Sequence, residues 1–363
     1  MTREDIVEKY DISDYEEQPI IHPNFATVDG DGVTGIVLIV GSSGSGKSTI
    51  LNSIVPSQQP LLEDVPIIDM FSSPENGEKL LLAMGLRSIP TWFRPLNKVS
   101  NGEKHRAECA LSIDKGYMVI DEFTSVVDRN TAKSLSHSLR KYFDKSKLET
   151  LYIASCHRDI EEWLLPDFIY DTDLVSFRKK EYLRRPLIKV DITATNYEDW
   201  VLFKKHHYLD STLSKAVHCY VAIINNQKVG FLAVIHGTGR DIHSYWRESR
   251  LVILPEFQGL GLGKALSNTI AHEYTRRGLR YFSKTAHPTL GGSRDDDPKW
   301  RGTSTNHTKR TSYLNKDGSL RENRGSFGKS DNDIIRDATR VCFSHEFMYG
   351  FVEPMEKDSM GDW

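Results

Sequence analysis

Ile36-Val37-Leu38-Ile39-Val40, followed without a break by Gly41-Ser42-Ser43-Gly44-Ser45-Gly46-Lys47-Ser48-Thr49, is the stretch on which the fold turns. Consecutive apolar residues of this kind predict a short strand buried on both faces of a sheet. The residues after it match the pattern GxxxxGK[ST], and Thr49 to Ile54 reads as a helix. The pattern therefore stands in the strand–loop–helix setting that gives it meaning. Glycines let backbone N–H groups converge on phosphate oxygens, and the helix N-terminus adds its dipole. In such a loop Lys47 reaches the outer phosphates and Ser48 ligates a divalent metal. Gly41, Ser42, Gly44, Ser45, Gly46, Lys47, Ser48 and Thr49 are thus the first candidate binding residues.

Moving outward, residues 74 to 89 carry Leu80, Leu81, Leu82 and Leu86 at helical spacing, and Tyr117 to Ile120 and Leu151 to Ser155 are further apolar runs. Strands separated by helices predict an α/β domain. The run at Tyr117 ends on Asp121-Glu122. A buried strand that ends on two carboxylates presents Asp121 to a metal and Glu122 to an attacking water.

With these two motifs in order, the residues between and after them resemble those of the ABC ATPases. Val99 to Ala107 (VSNGEKHRA) is similar to the ABC signature, Thr124 to Asp128 resembles the D-loop, and His157 sits where that family places its switch histidine. The resemblance implies ATP and Mg²⁺ as ligands, with Ser48 and Asp121 on the metal and Glu122 and His157 in hydrolysis. It also implies that Ser100 and Gly102 of one protomer close over the nucleotide held by Lys47 of another, hence a homodimer through these domains. Two departures stand out. The interval from Gly41 to Ser100 is short, and no glutamine occurs between Gln59 and the signature. Asp69, after an expected strand Val65 to Ile68, is the candidate replacement for that glutamine's metal contact. Both departures weaken a transporter reading.

A charged stretch around residues 175 to 188, ending at Pro186, marks the expected boundary. The first domain is placed at 1–180, with its core at 33–175. The second runs over 187–352, and 353–363 is a tail. The second half opens with Cys219 to Ile224 and Val229 to Val234 joined by Asn225-Asn226-Gln227-Lys228, a hairpin signal because Asn tolerates positive φ. A strand at Leu251 to Leu254, a glycine-rich turn, a helix to about Arg277 and a strand near Arg280 to Thr285 follow. Residues 291 to 332 are polar and without periodicity. A short helix (Asn332 to Thr339) and an apolar strand (Val341 to Phe347) close the domain.

Arg250 to Leu266 contains Gln258-Gly259-Leu260-Gly261-Leu262-Gly263 directly after an apolar strand. This segment resembles motif A of the GNAT acetyltransferases. The resemblance implies that Leu254, Gln258, Gly259, Leu260, Gly261, Leu262, Gly263 and Lys264 hold the pyrophosphate of acetyl-CoA or another acyl-CoA, again on N–H groups at a helix start. No second βαβ unit with an acidic ribose ligand follows, which disfavours a dinucleotide site. Candidate bases are Glu248 and His287, and candidate acids are Tyr313 and Tyr349. The expected fold class is α/β plus α+β: a P-loop ABC-type ATPase domain followed by a GNAT-like acyltransferase domain. That combination resembles a prokaryotic and phage fusion family.

Residues 299 to 329 hold eight lysines and arginines against Asp317 and Glu322, with Trp300, Tyr313 and Phe327 among them. Cations neutralise phosphates and aromatics stack on unpaired bases, so this insert is a candidate nucleic-acid contact. The expected function is ATP hydrolysis coupled to acyl transfer onto an amino group, on DNA or RNA. The alternatives are a protein or small-molecule N-acetyltransferase regulated by its ATPase, and a non-catalytic ABC clamp with a GNAT-like binding domain. The formal net charge of −3 selects no partner globally. Cys109, Cys156, Cys219 and Cys342 are scattered, without a CxxC pair, which points away from a disulfide framework or zinc cluster. No long apolar run predicts a membrane span and the acidic N-terminus has no apolar core. The expected location is the cytoplasm, the host's if the chain is viral.

Overall fold

The computed structural model describes residues 33–54, 64–179, 185–207, 212–237, 244–309, 319 and 340–349. The chain divides into two compact units, Met1–Pro186 and Leu187–Trp363.

The first unit is built on strand β1 (Gly35–Val40), and its side chains sort by pleat. Ile36, Leu38 and Val40 join one core and Val37 and Ile39 the other, all fully buried. Helix α1 (Lys47–Ile54) covers the second face with Ile50 and Leu51. Helices α2 (Pro74–Ala83) and α3 (Asn101–Asp114) contribute to the first face. The short strand β2 (Val119–Ile120) follows, then α4 (Arg129–Lys145), whose Ala132, Leu135, Leu139 and Phe143 also pack on the first face. Strands β3 (Thr150–Ser155), β4 (Phe168–Asp171) and β5 (Ser176–Lys179) complete a sheet of order β2-β3-β1-β4-β5. All pairs are parallel except β4–β5. Because β3 lies between β1 and β2, the residues at its end stand between those at the ends of the other two.

The second unit is an eight-stranded sheet. Strand β6 (Asp191–Thr195) precedes the hairpin β7 (Val217–Ile224) and β8 (Gln227–Gly237), and β9 (Tyr245–Ile253) follows. The hairpin turn is two residues, Asn225 and Asn226, both at positive φ (47° and 64°), as a tight twisted hairpin requires. Helix α5 (Leu262–Thr275) then lays Leu262, Leu266, Ile270, Ala271 and Tyr274 on one face of the sheet. Trp200 and Phe203 cover part of the other face. Strand β10 (Tyr281–Thr285), helix α6 (Pro288–Asp295), the short strands β11 (Trp300–Gly302) and β12 (Thr308–Lys309), and β13 (Val341–Phe347) finish the unit. The sheet order is β11-β13-β10-β9-β8-β7-β6, with β12 on β13.

Three expectations change. Val65 to Ile68 is not a strand: Ile67–Met70 is a 3₁₀ turn entered from Pro66, and Asp69 is exposed on it. Proline cannot donate to a ladder, which removes the strand at its first rung. The run at Tyr117 pairs only from Val119, because Met118 sits at φ 53° and breaks the extended chain. The stretch from 291 is not uniformly irregular. Pro288 opens α6 at its first helical turn, and Gly291 packs so closely on Phe343 of β13 that a Cβ would lie 2.0 Å from the ring. The expected helix Asn332 to Thr339, Tyr313 and most of the basic insert lie outside the described residues.

Candidate functional site

In the first unit the loop after β1 has the shape of a phosphate cradle. Gly44 and Gly46 stand at φ 81° and 85°, conformations that L side chains resist. Lys47 Nζ donates to Gly41 O (3.0 Å) and Ser42 O (2.5 Å), so its ammonium lies against the loop it would serve. Ser42 donates through N and Oγ to Asp173 (2.9 and 2.8 Å), and Ser45 Oγ meets Thr172 Oγ1 at 2.5 Å. Arg158 in turn pairs with Asp171 and with Asp173 (3.0 Å). Arg158 and the Asp171-Thr172-Asp173 segment thus brace the loop from the ends of β3 and β4. Sequence reading missed them, since a charged residue beside a motif carries no signal of its own. The Arg158 guanidinium holds the Asp171 carboxyl below its ordinary range.

The acidic pair follows β2. Glu122 N donates to Asp121 Oδ1 (2.8 Å), and Glu122 itself is exposed at φ 49°. Such backbone strain in a non-glycine residue is typical of functional positions. His157, at the end of β3, places Nδ1 3.1 Å from Thr124 Oγ1, and its N–H donates to Ser155 Oγ (3.1 Å). The histidine and the acidic turn are therefore one connected structure. Helix α3 reaches the same turn, where His105 lies close enough to Glu122 for its carboxylate to oppose the lowering of the imidazole pKa by burial. Ser100 caps α3 with a reciprocal capping box, its Oγ accepting from Glu103 N and its N–H donating to Glu103 Oε2 (3.0 Å). Gly102 lies against Val126 O, which a Cβ would approach to 3.1 Å, so the signature and the D-loop touch.

A metal here would take Ser48, exposed in the first turn of α1, and Asp121. Among the described residues no group of three or more His, Cys, Asp or Glu could hold a metal. A P-loop Mg²⁺ does not need one, because it keeps waters and takes phosphate oxygens. The donor set therefore fits that ion. Asp69 closes its own turn onto Pro66 O (3.0 Å) and has no described contact with the loop.

Burial lowers the pKa of His105, His137 and His157 below the ordinary 6.5, His137 to about 4, where Arg185, Lys141 and Arg87 add to the effect. The unfolded chain then binds more protons than the folded one on the acid side of 6.5. Stability is fully present above that pH and is lost as pH falls through it. The unfolding midpoint is expected to drop between pH 7.5 and 5.5, and a midpoint that stays level or rises would contradict this.

In the second unit β9 and β10 pair only at Tyr281–Trp246 and Phe282–Arg247, then diverge. A wedge opens between them toward the end of β9. There the Gln258–Gly263 loop turns into α5, with Gly259 at φ 93° and Gly261, the N-cap, at φ 82°. The first-turn N–H groups of α5 have no intrahelical partner, and the glycines keep them uncovered. Gln258 Nε2 donates back to Ile253 O (2.7 Å) and braces the loop. Lys264 pairs with Asp297 (2.9 Å), tying α5 to the segment after α6. Leu254 carries the sheet up to the loop, its N–H donating to Val229 O (2.9 Å).

Glu248 is also corrected. It is 8% exposed and enclosed by Arg294, Ser267 and Ser283, which are 2%, 1% and 1% exposed. Arg294 Nη2 donates to Glu248 Oε2 (2.6 Å) and to Ser267 Oγ (2.9 Å), and Ser283 Oγ donates to Glu248 Oε2 (2.9 Å). A carboxylate so fully engaged is not available to take a proton from a substrate. Tyr349 stands beside His272 in the last turn of α5 (5.8 Å between rings), at the other end of that helix from the loop. His287 lies two residues past the end of β10, stands at the N-cap of α6, and its N–H donates to Thr285 Oγ1 (3.0 Å). Arg294 was not foreseen. It lies in a polar run whose only structural signal was Pro288.

Residues 215–293 match the family model described as the acetyltransferase (GNAT) domain. No curated protein matches the chain by sequence. Among solved structures, the ribosomal-protein-S18-alanine N-acetyltransferase from Escherichia coli is similar at 13% identity, over 46% of this chain and 98% of its own, with a TM-score of 0.31. A dimeric bacterial ABC transporter cassette is similar at 16% identity, over 38% of this chain and 80% of its own, with a TM-score of 0.29. The IAA acetyltransferase from Bacillus cereus is similar at 13% identity, over 44% of this chain and 99% of its own, with a TM-score of 0.29. No helix among the described residues is long and apolar enough to cross a membrane. Residues 215–293 thus carry a GNAT acetyltransferase domain, and the motif order around β1, β2 and β3 of the first unit resembles that of the ABC-type ATPases.

Proposed function

We propose that the chain hydrolyses ATP in its first unit and transfers an acyl group, acetyl in the simplest case, from acyl-CoA to an amino group on nucleic acid in its second. The observation that carries this reading is the recurrence of one device in both units: a glycine-rich loop after a strand, opening a helix whose first N–H groups are free for phosphate. In the first loop Lys47 and Ser48 would hold the nucleotide and its Mg²⁺, with Asp121 as the second protein ligand to the metal, and Glu122 with His157 would act on the attacking water. Two copies of the chain would pair so that Ser100 and Gly102 of one face the loop of the other.

In the second unit the wedge receives the pantetheine arm. The amine nitrogen bonds to the thioester carbon, the C–S bond breaks with its electron pair leaving on CoA as the thiolate, the amine proton passes to a base, and the thiolate takes up a proton to leave as CoA-SH. We keep His287, the N-cap of α6, as the base to test. Electrostatics favour a polyanionic acceptor. Arg247, Phe282 and Lys284 are half-exposed on the sheet face opposite α5, and Arg280, itself paired with Glu346 (2.6 Å), lies over the Phe282 ring at 5.1 Å. Cations with interleaved rings suit unpaired bases and their phosphates.

The test is direct. The purified chain is incubated with radiolabelled acetyl-CoA and Mg-ATP, with single-stranded or duplex DNA or RNA, and label in the nucleic acid is counted. Label that disappears in both Lys47→Ala and Gly261→Glu supports the coupled reading. Label independent of Lys47 sinks the coupling. Label that appears only on protein or on small amines sinks the acceptor.

A further inference from the structure

The vertex of the wedge in the second unit is filled by charge where hydrocarbon would have served. Glu248 is the first residue of β9 past the last paired rung, and Ser283 is its counterpart on β10. Arg294 comes from α6 and Ser267 from α5, so the four side chains join both walls of the wedge to both helices that flank it. All four are buried. Replacing a buried ion pair by apolar residues of similar volume is often neutral or stabilising. Stability alone therefore gives no reason for charge at this position.

We infer that the Glu248–Arg294–Ser267–Ser283 network determines donor specificity: it closes the wedge behind the thioester and excludes long acyl chains. This rests on reading the Gln258–Lys264 loop as the pyrophosphate site of acyl-CoA. Glu248 lies about 17 Å from Ile253 at roughly 3.3 Å per residue of strand. An extended pantetheine arm anchored at the loop covers that distance, which brings the thioester beside Glu248. Ahead of the acyl group stand the paired rungs at Trp246 and Arg247. On the helix side stands the network. The remaining side, past Phe282 and Arg247, is the one through which an amine must arrive. A short acyl group fits this space. A long one would have to lay methylenes against a buried carboxylate and guanidinium, whose hydrogen bonds it cannot replace.

The experiment is calorimetric titration of the full chain with CoA, acetyl-CoA, butyryl-CoA and octanoyl-CoA. Octanoyl-CoA is expected to bind at least about tenfold more weakly than acetyl-CoA. An open apolar channel gives the opposite trend, since each buried methylene tightens binding about fourfold. Octanoyl-CoA binding as tightly as acetyl-CoA, or more tightly, would overturn the inference. The double variant Glu248→Ala/Arg294→Ala removes both charges together, so that neither is left buried alone. It is expected to bring octanoyl-CoA to within about twofold of acetyl-CoA, and an unchanged preference would equally overturn the inference. If that variant does not fold, the wild-type series alone decides. Failure of CoA itself to bind sinks the reading of the loop beneath it, which keeps the two failures apart.

Discussion

Replacing Glu122 by glutamine is expected to lower ATP turnover by about a thousandfold while leaving ATP bound. Glu122 is the exposed carboxylate of the pair after β2, whereas Asp121 is the one assigned to the metal. Removing one well-placed catalytic group costs on the order of a hundred- to a thousandfold. Glutamine keeps the shape and the backbone turn, so the nucleotide site should survive. Steady-state phosphate release should collapse, and size-exclusion chromatography with ATP should reveal a stabilised pair of chains. Lys47→Ala is the complementary case, in which ATP affinity and turnover fall together because the ammonium facing the phosphates is gone. If Glu122→Gln hydrolyses at the normal rate, the water-activating group lies elsewhere, and His157 becomes the residue to test.

Gly261→Glu is expected to weaken CoA binding by more than a hundredfold. No atom lies within 4 Å of a Cβ built at Gly261, so steric crowding is not the cause. Two other effects act. The residue stands at φ 82°, where a non-glycine residue costs roughly 1–2 kcal/mol. A carboxylate at the N-cap also faces the incoming pyrophosphate on the very N–H groups meant to hold it. Gly261→Ala separates the two, since it carries the backbone cost without the charge. Alanine should lose roughly tenfold and glutamate much more. Titration calorimetry with CoA reads both. Equal losses would assign the whole effect to backbone strain, and no loss in either would remove this loop from the binding site.

The legible parts of this chain were those where a local pattern has one structural meaning. Five apolar residues ahead of GxxxxGK[ST] could only be a buried strand feeding a phosphate loop, and the structure splits their side chains between two cores. The Asn-Asn hairpin and the Gln258–Gly263 turn were readable for the same reason, because both need positive φ at identifiable residues. What stayed hidden depended on contacts distant in sequence. Glu248 looked like a base because it is an acid next to a motif, and only Arg294, far along the chain, turns it into a buried structural anion. Arg294 itself was lost in a run of polar residues, because a helix held mainly by Gly291 against Phe343 has no apolar periodicity to read. The brace from Arg158 through Asp173 to Ser42 was invisible because three chain segments meet there.

The early parting of β9 and β10 makes the second unit's sheet unusual in one respect. Neighbouring strands that release each other after two rungs leave backbone groups along their diverging edges open to another partner. An acyl-CoA arm carries amides of its own, so once seated it would act as an additional strand of the fold, as much an architectural member as a reactant. A ligand bound only by the folded state raises the unfolding free energy by about 2.7 kcal/mol at a hundredfold excess over its dissociation constant. The lifetime of this unit against unfolding and proteolysis would then follow the supply of its own acyl donor. A starved cell would hold less of the enzyme, and not only a slower one.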